Sequence, residues 1–545
     1  MASQNVIETP VLVVGGGPVG LACSLMLSRH GVRSLLVERH PSTSRHPKAM
    51  AVMLRTAELL RQWGALDAMR AEGVPQDWLH EILFAKSLAG EVFGTVEVDG
   101  YEPNEASPGQ ALRCPQTATE AVLRRVAEES GTGTLRFGIE MSHFEQDADG
   151  VTATLREVAS GREETVRARY MVAADGSASG TREALGIGRE GPGDMGHFAN
   201  IYHQADFGAK LGGRKPFMAN ILSQEIGGGY VTVNGRDLWL LHVHLGPKDK
   251  PEDFTETACI DLVRQASGVP DVAVKILGVG IWVMSAQIAE RFREGRVILA
   301  GDAAHRTTPV GGLGMNTDLQ SVHNLAWKLA GVLKGWAGEA LLDTYEAERR
   351  AVATFNTEAS RERAGEVFDA GEAAARGDFE AIRKYVAGMA KDRNRLGQDL
   401  GYTYDHGAIV SDGTPPIERA DPIVDYTPNA RPGSRAPHLW LERSGARLSS
   451  LDLFDTSFTL LVGAGGNGWR EAAPAVAKEH RAPLQAFTVG EGGNLSDPSG
   501  RFEELYGIGS EGAVLVRPDG FVAWRSRTAG AASELRTVLD RVLAR

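Results

Sequence analysis

At 545 residues the chain is too long for one hydrophobic core, so about two to four domains are expected, with apolar content (42%) to build them. Lys plus Arg (58) against Asp plus Glu (70) leaves a net charge of −12 without a basic block, which argues against nucleic acid or an anionic membrane surface and leaves a small molecule as the default ligand. Three cysteines, Cys23, Cys114 and Cys259, form no Cys-x-x-Cys pair, which excludes a disulfide framework and a dithiol redox centre and points to a reducing compartment, the cytoplasm.

The start, MASQNVIETP, has an acid where a signal peptide needs positive charge, and the apolar run Val11 to Leu27 is broken by four glycines and a proline; neither an export signal nor a membrane span is expected. That run is instead a strand from Val11 to Val14, then Gly15-x-Gly17-Pro18-x-Gly20, a helix to about His30, and a second strand ending at Glu38. Gly15 makes the tight turn, Gly17 lets backbone N–H groups approach a pyrophosphate at the helix N-terminus, and Gly20 lets helix and strand pack closely. Glu38 stands where an acid accepts hydrogen bonds from a ribose hydroxyl, and Arg39 follows it. The spacing predicts dinucleotide binding without choosing the dinucleotide.

Further along, 71–107 reads as hairpin-like, and ARYMVAADGSASGTREALGI places Asp175-Gly176 at a strand end, followed by Ser179 and Arg182. The stretch 186–286 alternates, as in GGGYVTVNGRDLWLLHVHLG, and predicts an antiparallel sheet in which Tyr230, Trp239, His242, His244 and Trp282 line or support a pocket. His242 and His244 share a strand face, yet no third ligand has motif spacing, so no metal site is expected. GRVILAGDAAH puts Gly301-Asp302 at another strand end, where a carboxylate suits polyol hydroxyls such as a flavin's ribityl chain, which NAD lacks. After it, Asn316 is read as the N-cap of the helix TDLQSVHNLAWKLAGVLKGW. Beyond Asp343 the Ala-, Glu- and Arg-rich helices read as solvated faces. A Pro/Gly/Asp-rich connector from about Tyr402 to Pro437 leads to strands and helices of a small α/β unit.

Three stretches taken together, Gly15-x-Gly17-x-x-Gly20 with Glu38, Asp175-Gly176-x-x-Ser179-x-x-Arg182, and Gly301-Asp302 through Pro309, resemble the flavin-dependent aromatic hydroxylases, the single-component class A monooxygenases, over essentially the whole chain. The resemblance implies an α/β fold: a Rossmann-like FAD-binding domain with an inserted antiparallel-sheet substrate domain, and a C-terminal thioredoxin-like α/β domain. The divisions expected are 1–185 (FAD-binding, with 71–107 contributing to the substrate domain), 186–286 (substrate sheet), 287–400 (completion of the FAD domain and helices), 401–437 (linker) and 438–545 (thioredoxin-like, lacking Cys-x-x-Cys).

The same resemblance implies that Pro309, Gly312, Gly314 and Met315 pass flat against the isoalloxazine, that Gln116 contacts flavin with Arg113 before it, and that Arg55, Thr56 and Glu58 lie in the segment beside a movable flavin. Lys48 stands where many relatives carry arginine. Thr308 replaces a frequent proline and Asp318 a frequent glycine; the latter is expected to face solvent or to lower the flavin potential. The implied reaction uses tightly held FAD, NADPH or NADH as transient reductant, and O₂, hydroxylating a phenolic or polyketide-type aromatic through a flavin C4a-hydroperoxide. The partners implied are a small aromatic substrate and a second copy of the chain in a homodimer or larger homo-oligomer. A Baeyer–Villiger oxygenase on the same scaffold, a redox-inactive flavoprotein sheltering a reactive intermediate, and a non-enzymatic binding module stay open at this level, and no catalytic base is named.

Overall fold

The computed structural model describes residues 6–98, 101–223, 226–246, 248–389, 395–530 and 532–545. Its centre is the strand Ile7–Val14, flanked in parallel by Ser34–Glu38 and Glu163–Ala173, with Gly133–Phe137 and Val297–Leu299 continuing outward on the two sides. Side-chain alternation divides these strands between two cores. Val11, Val13 and Leu36 face the helices Pro18–Arg29 and Gly314–Lys334, whereas Leu12, Val14, Leu35 and Val37 face Val151, Ala153 and Leu155 of the antiparallel hairpin Ile139–Gln146 and Val151–Glu157. A parallel sheet covered on both faces explains the nearly continuous apolar runs.

A second sheet has seven strands in the order Lys275–Val283, His197–Gln204, Leu238–Leu245, Gly227–Thr232, Met218–Leu222, Glu81–Ala85, Val92–Glu97. Glu81–Ala85 and Val92–Glu97 form the hairpin expected within 71–107. The expectation of an antiparallel sheet needs one correction: the hairpin joins through a parallel pairing of Glu81–Ala85 with Met218–Leu222. Strands so far apart in the chain are free of the reversal that a tight turn imposes. The helix Glu256–Ser267 covers one face, packing Cys259, Val263 and Ala266 on Trp239, Tyr230 and Leu241.

The C-terminal unit places Phe458–Gly463 parallel to Leu484–Val489 and antiparallel to Ala513–Val516, which pairs antiparallel with Val522–Ser526. With the helices Asn467–His480 and Ala532–Val542 this is the βαβ–ββα order of a thioredoxin-like unit. All three cysteines are free and buried, and none lies in it. The connector 401–437 is packed rather than slack, because Tyr404 and Arg435 are buried in polar contacts with Arg349 and Glu58. The charge-rich helix Asp343–Ala375 likewise departs from a solvated reading: Glu348 and Arg349 are fully buried, since both meet partners from other elements.

Glu348 accepts from Arg517 Nη1 (2.8 Å) and Nη2 (2.9 Å), Lys328 Nζ (2.8 Å) and Asn324 Nδ2 (2.6 Å), while Arg517 Nε donates to Asp519 (2.9 Å). Burial by itself would raise the Glu348 carboxyl, but Arg517 and Lys328 hold it below its ordinary value. Removing one partner leaves a buried charge uncompensated. Arg517→Met is therefore expected to destabilise the chain by about 3–5 kcal/mol, read by urea unfolding, whereas loss of the exposed Arg124–Glu128 pair should shift stability by less than about 1 kcal/mol. Equal effects from the two substitutions would show that the buried network does not hold the C-terminal unit in place.

Candidate active site

The carboxyl ends of the parallel strands open into a cavity of about 2950 Å³ that runs on to the uncovered face of the seven-stranded sheet. The first wall is the glycine turn. A side chain at Gly15, whose φ is +111°, would lie 2.2 Å from the Ala174 carbonyl, and one at Gly20 would lie 1.9 Å from the Gly15 carbonyl. At Gly17 nothing stands within 4 Å, so its backbone is open to the cavity, and the helix that follows, entered through Pro18, has no acid in its first turn. That is a cradle for an anion: unfilled space, a helix N-terminus and no opposing carboxylate. Glu38 closes the rim, accepting from Gly16 N (2.7 Å) and His40 N (2.8 Å). Burial would raise its carboxyl, but these backbone donors hold it low and charged.

The second wall is the pair of strand-end acids. Asp175 accepts from Ser179 Oγ (2.6 Å) and Thr181 N (3.0 Å), and Ser179 in turn accepts from Arg182 N (3.0 Å), so this motif caps the short helix Gly180–Ala184 beside Gly176. Arg189, which carries no motif signal, ties the two acid loops together by donating to the carbonyls of Ser177 (2.9 Å) and Asp302 (3.1 Å). The Asp302 carboxyl opens into the cavity among few solvating groups, which raises it, while Arg306, Lys48 and Arg189 pull it back. Gly301, at φ +66°, makes the turn that presents it.

The third wall is the segment Pro309 to Met315. A side chain at Gly312 (φ +70°) would meet the Ala51 Cβ at 2.5 Å, and one at Gly314 would meet nothing within 4 Å. Thr308, where a proline was the common residue, hydrogen bonds Ser360 of the long helix, and Ser360 Oγ donates to the carbonyls of Thr308 (3.0 Å) and Val310 (2.8 Å), so the loop is tied from behind. Asn316 is not the N-cap; the helix begins at Gly314, with Leu313 in the cap position. Its amide accepts from Met53 N (2.8 Å) and donates to the carbonyl of Ala51 (3.0 Å), both tertiary bonds, and to the carbonyl of Gly312 (2.6 Å) four residues back.

Asp318 does not face solvent. It is buried with its Oδ1 3.3 Å from His305 Nδ1, and burial, reinforced by Asp302, pushes its carboxyl well above the ordinary range while burial drives His305 down to about 3. Burial therefore favours the uncharged form of both partners. Lys48, Arg39, Gln116 and Arg113 also line the cavity. Gln116 Oε1 accepts from Ala49 N (3.3 Å) and its Nε2 donates to Glu120 (2.7 Å), a residue one helical turn on whose i, i+4 spacing from Gln116 is its only sequence signal. Arg113 donates to the Tyr101 hydroxyl (2.5 Å) and lies 4.4 Å from the Phe217 ring centre.

Of the aromatic residues expected near substrate, Trp282 lines the cavity, but Tyr230 and Trp239 do not. Both are buried under the helix Glu256–Ser267, with the Tyr230 hydroxyl donating to the Val263 carbonyl at 2.8 Å. Strand alternation is the reason: His242 and Gly229 take the cavity face, so their neighbours Leu241 and Tyr230 take the other. Phe198 and, from the long helix, Phe368 complete an aromatic end of the cavity. Among the described residues no group of three or more His, Cys, Asp or Glu is placed to hold a metal, and no helix is long and apolar enough to cross a membrane.

A glycine-rich helix N-terminus, a strand-end acid and an aromatic end share one cavity, the arrangement that a flavin-dependent monooxygenase requires. The comparisons agree. Residues 8–360 match the FAD binding domain family and residues 429–545 the aromatic-ring hydroxylase C-terminal family. The chain is 39% identical to 4-methyl-5-nitrocatechol 5-monooxygenase of a Burkholderia species, covering 98% of each, and 38% identical to aklavinone 12-hydroxylase of Streptomyces purpurascens, covering 99% of this chain and 100% of that one. It superposes on the flavin-dependent monooxygenase PieE, solved with FAD and substrate, with a TM-score of 0.92 and 34% identity over 99% of both chains. The chain belongs to the FAD-dependent aromatic-ring hydroxylases.

The proton held by Asp318 stabilises the fold fully below the ordinary carboxyl value of 3.8 and is lost as pH rises through the raised one. Asp318→Asn keeps a carbonyl oxygen and cannot ionise, so its melting temperature relative to the parent should rise over the pH range above the ordinary carboxyl value of 3.8. A constant difference across that range would show that Asp318 ionises like an ordinary carboxylate.

Proposed function

We propose that this chain hydroxylates a polycyclic phenolic substrate of the polyketide type, using FAD, NADPH or NADH, and O₂. The observation that carries the reading is the continuity of the cavity: at about 2950 Å³ it is roughly three times the upper end of a drug-sized ligand site, room for a dinucleotide and a multi-ring substrate together. Its far end is walled by Phe198, Trp282 and Phe368, suited to flat aromatic surfaces. The net change is insertion of one oxygen atom of O₂ into a ring C–H, with the other leaving as water and NAD(P)H supplying two electrons.

In this reading Gly15, Gly17, Pro18 and Gly20 seat the pyrophosphate at the helix N-terminus, and Glu38 with Arg39 faces the adenosine ribose. Asp175, Gly176, Gly301 and Asp302 border the ribityl chain; Lys48, Arg113 and Gln116 bound the opposite side; and Pro309, Gly312, Gly314, Met315 and Asn316 supply the flat backbone wall. When bound, FAD supplies hydride acceptance and O₂ activation. The protein's share is to hold the aromatic ring still and keep bulk water out, so that reductant is not lost as hydrogen peroxide. Dividing the chain at 1–185 with 287–400, 186–286 with 71–107, and 438–545 gives these tasks separate units, with 401–437 as a packed strap. The C-terminal unit, which lacks paired cysteines, is read as structural or as a contact between copies.

Two measurements test this. Asp302→Ala should weaken FAD binding about ten- to a hundredfold, the scale of a lost charge-assisted hydrogen bond. With ¹⁸O₂, NADPH oxidation by the FAD-loaded enzyme should accelerate with a multi-ring phenol and place one labelled oxygen in the product; labelled hydrogen peroxide but no labelled aromatic product would defeat the hydroxylase reading.

A further inference from the structure

The sheet face that looks into the cavity carries one transverse row set by strand register. Gly280, Asn200, His242, Gly229 and Asn220 stand opposite one another on five adjacent strands. Two members of that row are hydrogen bonded to each other. Asn200 Oδ1 receives Trp282 Nε1 at 2.8 Å and lies 2.6 Å from His242 Nδ1. An indole nitrogen only donates, so the Asn200 atom facing it is the oxygen, and His242 Nδ1 must then carry the hydrogen. The proton is thereby placed on Nδ1, leaving Nε2 as a bare lone pair.

Among the described residues no protein group hydrogen bonds His242 Nε2, and His242 lines the cavity. On the row, the glycine at 229 offers no side chain to cover the ring; a Cβ there would meet only the Ala219 carbonyl, at 3.5 Å. On the other side Trp282 stacks on Phe198 at 4.8 Å, so the acceptor is set in an aromatic surface. Burial, with His46 nearby, lowers His242 to about 4, which keeps it an acceptor at any pH at which the enzyme would work and makes it too weak a base to take a phenol's proton outright. A hydroxyl donates to such a nitrogen. An ether or carbonyl oxygen in the same place would set lone pair against lone pair and leave the buried acceptor unmet.

We propose that His242 Nε2 is the group that selects a free phenolic hydroxyl on the substrate, with Asn200 and Trp282 as positioning residues that fix its tautomer. The proposal rests on the reading of this enzyme as an aromatic hydroxylase. It adds a specificity rule: the substrate carries an unmethylated hydroxyl on the ring that meets this wall, and an O-methylated congener is rejected.

The test uses anthraflavic acid and its dimethyl ether, titrated into the FAD-loaded full-length protein and followed by the perturbation of flavin absorbance. The parent should prefer the diol by about tenfold, the scale of one neutral hydrogen bond made rather than left unmet. His242→Leu should abolish that preference by weakening the diol alone. His242→Gln, which retains an acceptor, should keep part of it. Asn200→Leu, which frees the ring, should act in the same direction as His242→Leu and carries the test if the leucine at 242 does not fold. A general structural role would weaken both ligands alike; that outcome, or an unchanged preference in His242→Leu, overturns the proposal while substrate-stimulated NADPH oxidation leaves the hydroxylase reading standing. Failure of the diol to bind the parent would overturn the multi-ring phenol reading and this assignment with it.

Discussion

One buried amide joins the parts of the chain that surround the cofactor. Asn316 bonds Met53, Ala51 and Gly312 at once, so the glycine segment, the short strand Ala51–Val52 and the start of the helix Leu54–Gln62 are set relative to one another by a single side chain. Asp399 repeats the device from the far side, accepting from Leu54 N at 3.1 Å. These contacts span 263 and 345 residues of sequence, and each satisfies a backbone N–H that the turn of chain leaves without a local partner. The glycine segment that lines the cavity is therefore bare backbone held in place by bonds from distant parts of the chain.

Charge is handled differently in the three regions, and the difference follows function. Between the flavin-binding part and the C-terminal unit, opposite charges are buried in full pairs, as with Glu348, Lys328, Arg517 and Asp519, or with Glu58 between Arg55 and Arg435. Such networks tolerate no missing member, which makes them suited to fixing orientation between units. At the cavity the groups are left incompletely met: Asp302 faces Arg306, Lys48 and Arg189 without a direct ion pair among the described residues, and burial favours the uncharged forms of Asp318 and His305. A site that must accept a large polar cofactor keeps its hydrogen-bonding capacity in reserve. On the seven-stranded sheet, Asn200 and His242 face the cavity beside aromatic rings.

The dinucleotide cradle was legible because sterics impose it on residue type. Gly15 and Gly20 admit no Cβ at any spacing but this one, and the strands around them must be apolar on both faces. Glu38, Asp175 and Asp302 were legible as strand-end acids, because strand ends face the crevice whatever the rest of the chain does. Legibility failed where a side chain answers to distant partners. Asn316 has the residue type of a cap and acts instead as a clamp; Asp318 has the polarity of a surface residue and lies beside His305; Glu348 and Arg349 look like a solvated helix face and are buried by Arg517 and Tyr404. Arg189 left no trace in the pattern because its task is to bridge two carbonyls, and any exposed loop could carry an arginine.

The division between the two kinds of knowledge follows the range of the forces involved. Excluded volume and backbone hydrogen bonding act over a few residues, so the sequence by itself determined the βα turn, the strand-end acids, the glycine segment and hence the class of cofactor. Which face of a strand meets the cavity depends on a register of two residues, and Tyr230 and Trp239 turn away from it while His242 and Trp282 turn toward it. That choice, the pairing of buried charges across units and the burial of Asp318 belong to the tertiary structure, because each is settled by how distant elements pack and by the partners that packing brings together.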